Sequence, residues 1–164
     1  MLTQSEVLVL FEYKNGKLLC RTKTSHKSNK VKVGEEVGHV TWNEYLRTKI
    51  HYKEYFVHKI IFLMHHGYIP QIVDHIDGNR GNNKIINLRE ASSSQNCENR
   101  AKRCDSTSGY IGVTLCKKSM KWQAKIGHKG KRTHLGLFSS PELAGNAYME
   151  AKASIHKFNP EYKK

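Results

Sequence analysis

The sequence contains no long hydrophobic run. Its longest uninterrupted apolar stretch is Ile60–Met64, whereas a membrane-spanning helix needs about 20 apolar residues. The amino terminus shows no basic stretch followed by an apolar run and a cleavage site, so no secretion signal is expected. These absences argue against a membrane partner and favour a cytoplasmic location.

Cysteine pairs and acidic residues are also scarce. The four cysteines include no Cys-x-x-Cys pair, so their spacing does not predict a zinc site, and reduced thiols are expected. Lys and Arg number 28 against 14 Asp and Glu, a net charge of +14. Residues 101–164 alone hold 13 basic and 4 acidic side chains, a net charge of +9. Such an excess is typical of nucleic-acid-binding proteins, because basic groups release phosphate counterions; a merely soluble basic surface is the alternative.

The amino-terminal third is predicted to be rich in β-structure. Val7–Tyr13 is an apolar run of strand length. Asn15-Gly16 is a strong hairpin signal, because both residues tolerate positive φ. Residues 56–66 then carry apolar positions at helical spacing, and Gly67 provides a C-terminal stop.

The carboxyl-terminal third changes to an alternation of apolar and polar residues. Three strand-length runs follow Gly109, with turns rich in Lys and Gly between them. Ser140-Pro141-Glu142 is a helix start, and apolar residues at helical spacing follow it. We therefore expect a three-stranded antiparallel sheet packed on one helix, and an α+β fold overall. The predicted domains are a β-rich region at 1–55, a second domain at 56–100, a linker at 101–108 and a third domain at 109–164.

Val73–Asn79 is the most informative segment. It predicts a strand that carries Asp74-His75, a tight Gly/Asn loop, a short return strand and then a helix capped near Ser92. Hydrolysis of a phosphodiester needs a base for the attacking water and a cation that offsets transition-state charge. Asp74 is a hard oxygen ligand suited to Mg²⁺ or Mn²⁺. A regular strand would point Asp74 and His75 to opposite faces, and Gly78 is well placed to bend the strand end.

This segment resembles the HNH endonuclease family, whose catalytic unit is a ββα-metal finger. The resemblance covers roughly residues 56–100, and Asp74–Arg89 is its most specific stretch. It implies that His75 is the general base. It also implies that Asp74 and Asn96 ligate the metal, for which Mg²⁺ or Mn²⁺ suits a set of oxygen ligands.

Other residues of the same motif are given supporting roles. The resemblance implies that Asn87 fixes the loop and orients His75, while Asn83 braces the loop. Arg80 and Arg89 are candidates for contact with phosphate, from charge alone. An isolated Asp-His pair is usually just part of a turn, but the compact, ordered series of Asp, His, Gly and Asn residues makes a chance match improbable.

Residues 109–156 resemble the ethylene-response, or Apetala-type, DNA-binding domain. The matching elements are Tyr110–Val113, Lys121–Ile126 and His134–Phe138, followed by the alanine-rich helix. In that family the sheet enters the major groove, and alternate side chains face the bases. The candidate DNA contacts are Thr114, Cys116, Lys118, Lys121, Trp122, Lys125, Arg132 and His134. The side chains expected to face the helix are Val113, Ala124, Ile126, Leu135 and Leu137, and core packing is an equal alternative for Trp122.

The charge and the two resemblances together predict a metal-dependent DNA endonuclease that hydrolyses phosphodiester bonds of double-stranded DNA. The architecture resembles the homing endonucleases of phages, and a phage-encoded protein would act in the bacterial host cytoplasm. One site cuts one strand per engagement, so cutting both strands would need a homodimer or two sequential events. The alternatives are a sequence-specific DNA-binding regulator with an inactive nuclease site and an RNA-binding protein without catalysis. Metal-dependent cleavage would separate these hypotheses, whereas salt-sensitive binding is common to all three.

Overall fold

The computed structural model describes residues 2–22, 31–99, 107–156 and 158. The chain divides into two compact units, Met1–Ala91 and Ser92–Lys164. Each unit combines helices with small antiparallel sheets, so the predicted α+β class is confirmed. Within the described residues, the helices are all too short or too polar to span a bilayer.

The first unit begins with helix α1, Gln4–Leu10, where the sequence predicted a strand. The Thr3 side chain caps this helix by accepting a hydrogen bond from the Glu6 amide at 3.3 Å. An apolar run of this length is compatible with a helix or a strand, so periodicity alone could not decide. The β-rich prediction is therefore wrong for residues 7–10.

The predicted hairpin at Asn15-Gly16 is confirmed. Strands β1, Phe11–Lys14, and β2, Lys17–Cys20, pair in antiparallel register around it. Asn15 and Gly16 have φ values of 49° and 86°, the left-handed conformations that this tight turn requires.

The remaining elements of the first unit form two further sheets and one central helix. The predicted helix over 56–66 is confirmed, and Gly67 ends it with a φ of 80°. Strands β3, β4 and β5 form one sheet in that order, and β6 pairs with β7. The elements are β3 (His39–Val40), β4 (Leu46–Ile50), β5 (Lys53–Phe56), α2 (Val57–His66), β6 (Val73–His75), a 3₁₀ turn (Ile85–Asn87) and β7 (Leu88–Glu90).

A single apolar core lies around α2. Ile60 and Ile61 are fully buried, and Phe11 from β1 and Leu88 from β7 belong to the same buried cluster. The amino-terminal elements and the Asp-His hairpin thus share one core. The predicted domain limit between residues 55 and 56 falls inside this unit.

The second unit begins with helix α3, Ser93–Glu98. Its predicted cap is confirmed, because Ser92 and Gln95 form a reciprocal capping box. Residues 101–106 of the predicted linker lie outside the described residues. The elements that follow are β8 (Val113–Cys116), β9 (Lys121–His128), β10 (Lys131–Phe138) and α4 (Pro141–Ile155).

The predicted three-stranded sheet with one packed helix is confirmed, in the order β8-β9-β10. Val113 and Ala124 form a small buried cluster with Ala144 of α4. Leu137, expected on the helix-facing side, is instead exposed. The register of β10 shifts between His134 and Gly136, and the extra residue of this bulge reverses the alternation that sequence reasoning assumed.

Candidate active site

The Asp-His pair lies at the end of strand β6, as predicted. In the β6–β7 hairpin Asp74 lies opposite Arg89, and His75 lies opposite Leu88. Asp74 and His75 are both buried, with 7% and 3% of their surfaces exposed. The Gly78 amide donates to the His75 carbonyl at 2.9 Å, so the chain turns directly after His75.

Asp74 is held by an ion pair across the hairpin. Arg89 donates from Nε and from a terminal nitrogen to the same carboxylate oxygen, Oδ2, at 3.0 and 2.9 Å. Two charge-assisted hydrogen bonds to one oxygen fix the orientation of the carboxylate. The Arg89 guanidinium is thus engaged with Asp74, and its contact with phosphate stays a prediction.

His75 is positioned by Asn83 from the loop between the two strands. The Asn83 Oδ1 atom lies 2.9 Å from His75 Nε2, and both side chains are buried. An amide oxygen only accepts hydrogen bonds, so Nε2 donates to it. In the neutral imidazole the lone pair is then on Nδ1, which is the nitrogen able to take a proton.

Asn87 fixes the loop but does not make the contact with His75 that was expected of it. Its side chain accepts from the Asp77 amide at 3.0 Å and donates to Asp77 Oδ1 and to the Asn82 carbonyl, at 2.9 and 2.8 Å. The expected orienting role thus goes to Asn83, and Asn87 acts on His75 only through the loop. Spacing alone could not distinguish the two asparagines, because the loop conformation decides which amide reaches the imidazole.

Asp77 lies at the centre of this loop as a turn-forming residue. Its carboxylate accepts hydrogen bonds from the Asn79 amide and from the side chains of Asn82 and Asn87. Partial burial favours a higher pKa for Asp77, but these three hydrogen bonds outweigh it and hold its pKa below the ordinary value. The ionised carboxylate therefore keeps the loop in one conformation.

Burial keeps the imidazole of His75 in its basic form. It lowers the pKa of His75, and the hydrogen bond that His75 donates to Asn83 and the charges of Asp77 and Asp74 only partly oppose this effect. The neighbouring His58, whose ring centroid lies 5.1 Å from that of His75, has a pKa lowered to about 3 by burial and by the charge of His75. Both rings are thus neutral at pH 7, and His75 can accept a proton.

The amino-terminal hairpin supports the loop that carries Asn83. Tyr13 of β1 accepts a hydrogen bond through its hydroxyl from the Ile85 amide at 3.0 Å. A Cβ atom added at Gly16 would lie 2.9 Å from the Lys84 amide nitrogen, so the turn and the loop are in close contact. The elements that precede α2 therefore brace the site from one side.

Arg80 is held at the edge of the loop with its side chain exposed. It donates to the Asn43 carbonyl at 3.1 Å, and its guanidinium lies 5.0 Å from the ring centroid of Tyr45. Tyr45 in turn packs near the rings of His58 and His75. An exposed guanidinium close to the base is suitably placed for a phosphate contact, which stays a prediction.

The residues expected to ligate a metal differ in their surroundings. Asp74 is buried in the first unit, where its Oδ2 atom accepts from Arg89. Asn96 is exposed on α3, which belongs to the second unit. A carboxylate and an amide oxygen fit Mg²⁺ or Mn²⁺, and a cation at Asp74 would share the carboxylate with Arg89.

The outward face of the second unit's sheet holds most of the predicted DNA contacts. Cross-strand neighbours share a face, and the register pairs Thr114 with Gln123, Cys116 with Lys121, and His134 with Lys125. The predicted contacts on this face are Thr114, Cys116, Lys121, Lys125, Arg132 and His134. Lys118 is exposed in the β8–β9 turn.

Trp122 lies on the opposite face, and its prediction as a DNA contact is corrected. It alternates with Lys121 along β9 and packs against the cluster of Val113, Ala124 and Ala144. The strand period of two places it on the same side as Ala124. The equal alternative of core packing is therefore the one that the structure supports.

Comparison with models of protein families gave a match that includes the β6–β7 hairpin. Residues 55–97 match the family model described as HNH endonuclease. Neither curated proteins nor solved structures gave a match. The matched segment contains Asp74, His75, Asn83, Asn87 and Asn96. The match supports an HNH endonuclease domain at residues 55–97, and with it a nuclease that acts on DNA.

Proposed function

We propose that this protein is a metal-dependent DNA endonuclease of the phage homing type. The observation that carries the proposal is the buried His75 imidazole, which Asn83 fixes through Nε2 and which lies next to Asp74 within the HNH-matching segment. A neutral, oriented imidazole beside a hard oxygen ligand is suited to the hydrolysis of a phosphodiester.

The proposed reaction uses His75 as the general base. Nδ1 of His75 takes a proton from the attacking water, while Asn83 keeps the ring in orientation and stabilises the Nε2–H tautomer. Asn87 and Asp77 hold the loop that carries Asn83. A Mg²⁺ or Mn²⁺ ion held by the Asp74 carboxylate would offset the negative charge of the transition state and of the leaving oxygen.

The second unit is proposed to supply affinity and site preference for double-stranded DNA. Lys121, Lys125 and Arg132 share an exposed sheet face with His134 and Thr114. Lysines and arginine give affinity for the phosphate backbone, while the smaller polar side chains can read base edges. One site per chain would nick one strand per engagement, so a double-strand break would require a second copy or a second event.

The test is cleavage of supercoiled plasmid and of phage genomic DNA, with Mg²⁺, with Mn²⁺ and with chelator. His75→Ala is compared with His39→Ala, which removes an exposed histidine of β3 in the same unit. We expect metal-dependent nicking that His75→Ala slows by about 10²–10⁴-fold, the usual contribution of a general base. His39→Ala should retain the rate of the unaltered chain, and circular dichroism would verify that both variants are folded.

Two results would contradict this proposal. Intact DNA under every metal condition, together with retarded migration of the DNA–protein complex, would contradict the nuclease and support a DNA-binding regulator with an inactive site. Equal loss of cleavage in His75→Ala and His39→Ala would contradict the assignment of His75 as the base.

A further inference from the structure

The second unit contains a cluster of two histidines and one carboxylate that the nuclease chemistry does not use. Glu98 is the last residue of α3, His128 is the last residue of β9, and His156 is the C-cap of α4. One potential ligand atom from each residue lies within 4.8 Å of the other two. From this geometry we propose that Glu98, His128 and His156 form a binding site for a transition metal of the zinc class.

His156 shows the clearest signs of a metal ligand. Its Nε2 atom donates to the Gly127 carbonyl at 2.8 Å, which fixes the tautomer and leaves the lone pair on Nδ1. The residue is only 6% exposed, and Nδ1 is buried with no hydrogen-bond partner among the residues that the structure describes. A ligating histidine characteristically donates its other ring N–H to a carbonyl or carboxylate, as His156 does here.

Glu98 and His128 complete the set at a suitable distance. The Glu98 Oε1 atom lies 3.1 Å from His128 Nδ1. Two ligands bound tetrahedrally at about 2.0–2.1 Å from zinc lie about 3.3 Å apart, so a metal could take the place of the proton that the pair shares. Glu98 is 7% exposed, and a buried carboxylate is stabilised by a cation.

The ligand types select the class of metal. Imidazole nitrogens suit zinc, copper, iron and nickel, whereas Mg²⁺ and Mn²⁺ prefer an environment of oxygen ligands. Three protein ligands leave one tetrahedral position for water. The His128 side chain is 33% exposed, so solvent reaches this ligand. The site therefore differs in chemistry from the Mg²⁺ or Mn²⁺ site proposed for the nuclease.

A metal at this position would fasten three elements of the second unit. It would tie the end of α3 to the end of β9 and to the end of α4, and α3 carries Asn96. The site does not depend on nuclease activity, because its ligands and its consequence lie entirely within the second unit.

The test is metal binding by the full chain after removal of metals with a chelator. We expect one equivalent of zinc per chain in competition with a chromophoric chelator. Added Co²⁺ should give the visible absorption of a tetrahedral nitrogen–oxygen site, and zinc should displace it. Saturating zinc should also raise the midpoint of a thermal transition by several degrees.

Two variants assign the binding to the cluster. His128→Gln changes a partly exposed side chain, and Glu98→Gln preserves the shape of the carboxylate. Each should weaken zinc binding by at least about 100-fold, since the loss of even an outer partner of a ligand costs 10–100-fold. The matched controls are His134→Gln and Glu150→Gln, which alter exposed residues of the same unit and should bind zinc as the unaltered chain does.

Several outcomes would overturn the assignment. Absence of zinc binding by the unaltered, folded chain would leave the cluster as a hydrogen bond between Glu98 and His128. Zinc binding that persists unchanged in both His128→Gln and Glu98→Gln would place the metal elsewhere. A Co²⁺ spectrum of octahedral type that is lost with His75→Ala would assign the ion to the nuclease site instead.

Discussion

The two units of the molecule hold their elements together by different means. Among the residues that the structure describes, the buried apolar cluster of the first unit contains fifteen side chains, whereas that of the second unit contains three. A core as large as the first can surround a buried hydrogen-bonded loop such as that of His75, Asn83 and Asn87, because apolar burial offsets the cost of burying polar groups. The described part of the second unit has the smaller buried cluster, so close contacts between its elements contribute more to holding it together.

The difference explains where each unit places its chemistry. In the first unit the polar side chains of the candidate site are inside, where burial lowers the pKa values of His58 and His75. In the second unit the charged side chains lie on an exposed sheet face, and the proposed zinc site would add the cross-link that a small core lacks. The comparison predicts that the units respond differently to core truncation, to backbone crowding, to acid and to loss of surface charge.

Truncation of a buried core side chain should give the largest loss of stability among these changes. The loss should be greater in the first unit than in the second. Phe11 is fully buried, and Phe11→Ala should lower the free energy of unfolding by about 3–5 kcal/mol through lost burial and the cavity left behind. Val113→Ala in the second unit removes fewer atoms and should cost about 2 kcal/mol. Guanidinium denaturation followed by far-ultraviolet circular dichroism measures both. Equal costs would contradict the ranking of the two cores.

A Cβ atom added at a closely packed glycine should strongly lower the stability of the second unit. Gly112 has a φ of 71°, and a Cβ atom there would lie 2.3 Å from the Tyr148 ring and 2.6 Å from the Lys125 carbonyl oxygen. Gly112→Ala should therefore cost about 2–4 kcal/mol, from left-handed strain and overlap together. Gly130→Ala is the matched control, since its φ is 77° but nothing lies near its added Cβ.

The control isolates the contribution of packing. Gly130→Ala should cost about 1 kcal/mol from backbone strain alone. Thermal unfolding of both variants gives the difference between them. If the two substitutions lower the midpoint equally, the close approach of β8 to α4 does not hold the second unit together.

Mild acid should weaken the first unit through its buried histidines. Burial, and secondarily the charge of His75, lowers the pKa of His58 to about 3, while the unfolded chain protonates it near 6.5. Between these values the unfolded state binds the additional proton, so the free energy of unfolding falls as pH decreases from 6.5, by up to about 1.4 kcal/mol per pH unit. The lowered pKa of His75 acts in the same direction.

Urea midpoints at pH 7.5 and pH 5.0 measure this dependence. His58→Phe keeps an aromatic ring between Tyr45 and Phe56 and should flatten the acid limb of the curve. Asp77, whose pKa is also lowered, titrates below this window and is not a source of the change. An unchanged slope in His58→Phe would show that other groups cause the loss of stability.

Local patterns in the sequence predicted much of this structure. The hairpin at Asn15-Gly16, the stop at Gly67 and the cap at Ser92 were readable because each depends on residues adjacent in the chain. Alternation likewise identified the sheet of the second unit. The Asp74-His75 segment could be assigned to a nuclease because the order of its polar residues is compact and specific.

Contacts between distant residues could not be read in the same way. The family resemblance assigned the orientation of His75 to Asn87 and only loop bracing to Asn83, whereas in the folded loop Asn83 contacts the imidazole. The ion pair of Arg89 with Asp74 depends on the β6–β7 register. Leu137 was placed on the wrong face because composition does not reveal where a one-residue bulge lies. Helix α1 was predicted as a strand because a short apolar run fits the period of either structure.

Loss of a single surface charge should give the smallest effect, confined to DNA binding by the second unit. Lys125 is exposed on the outward sheet face beside His134, and no core contact is lost in Lys125→Gln. We expect weaker DNA binding across all sequences and a salt slope of log Kd reduced by about one, because one fewer counterion is released. Lys53→Gln, an exposed lysine of β5 in the first unit, is the matched control of identical charge change. Fluorescence anisotropy with labelled duplex DNA at several salt concentrations gives the slopes, and equal slopes for the two variants would remove the sheet face from the DNA interface.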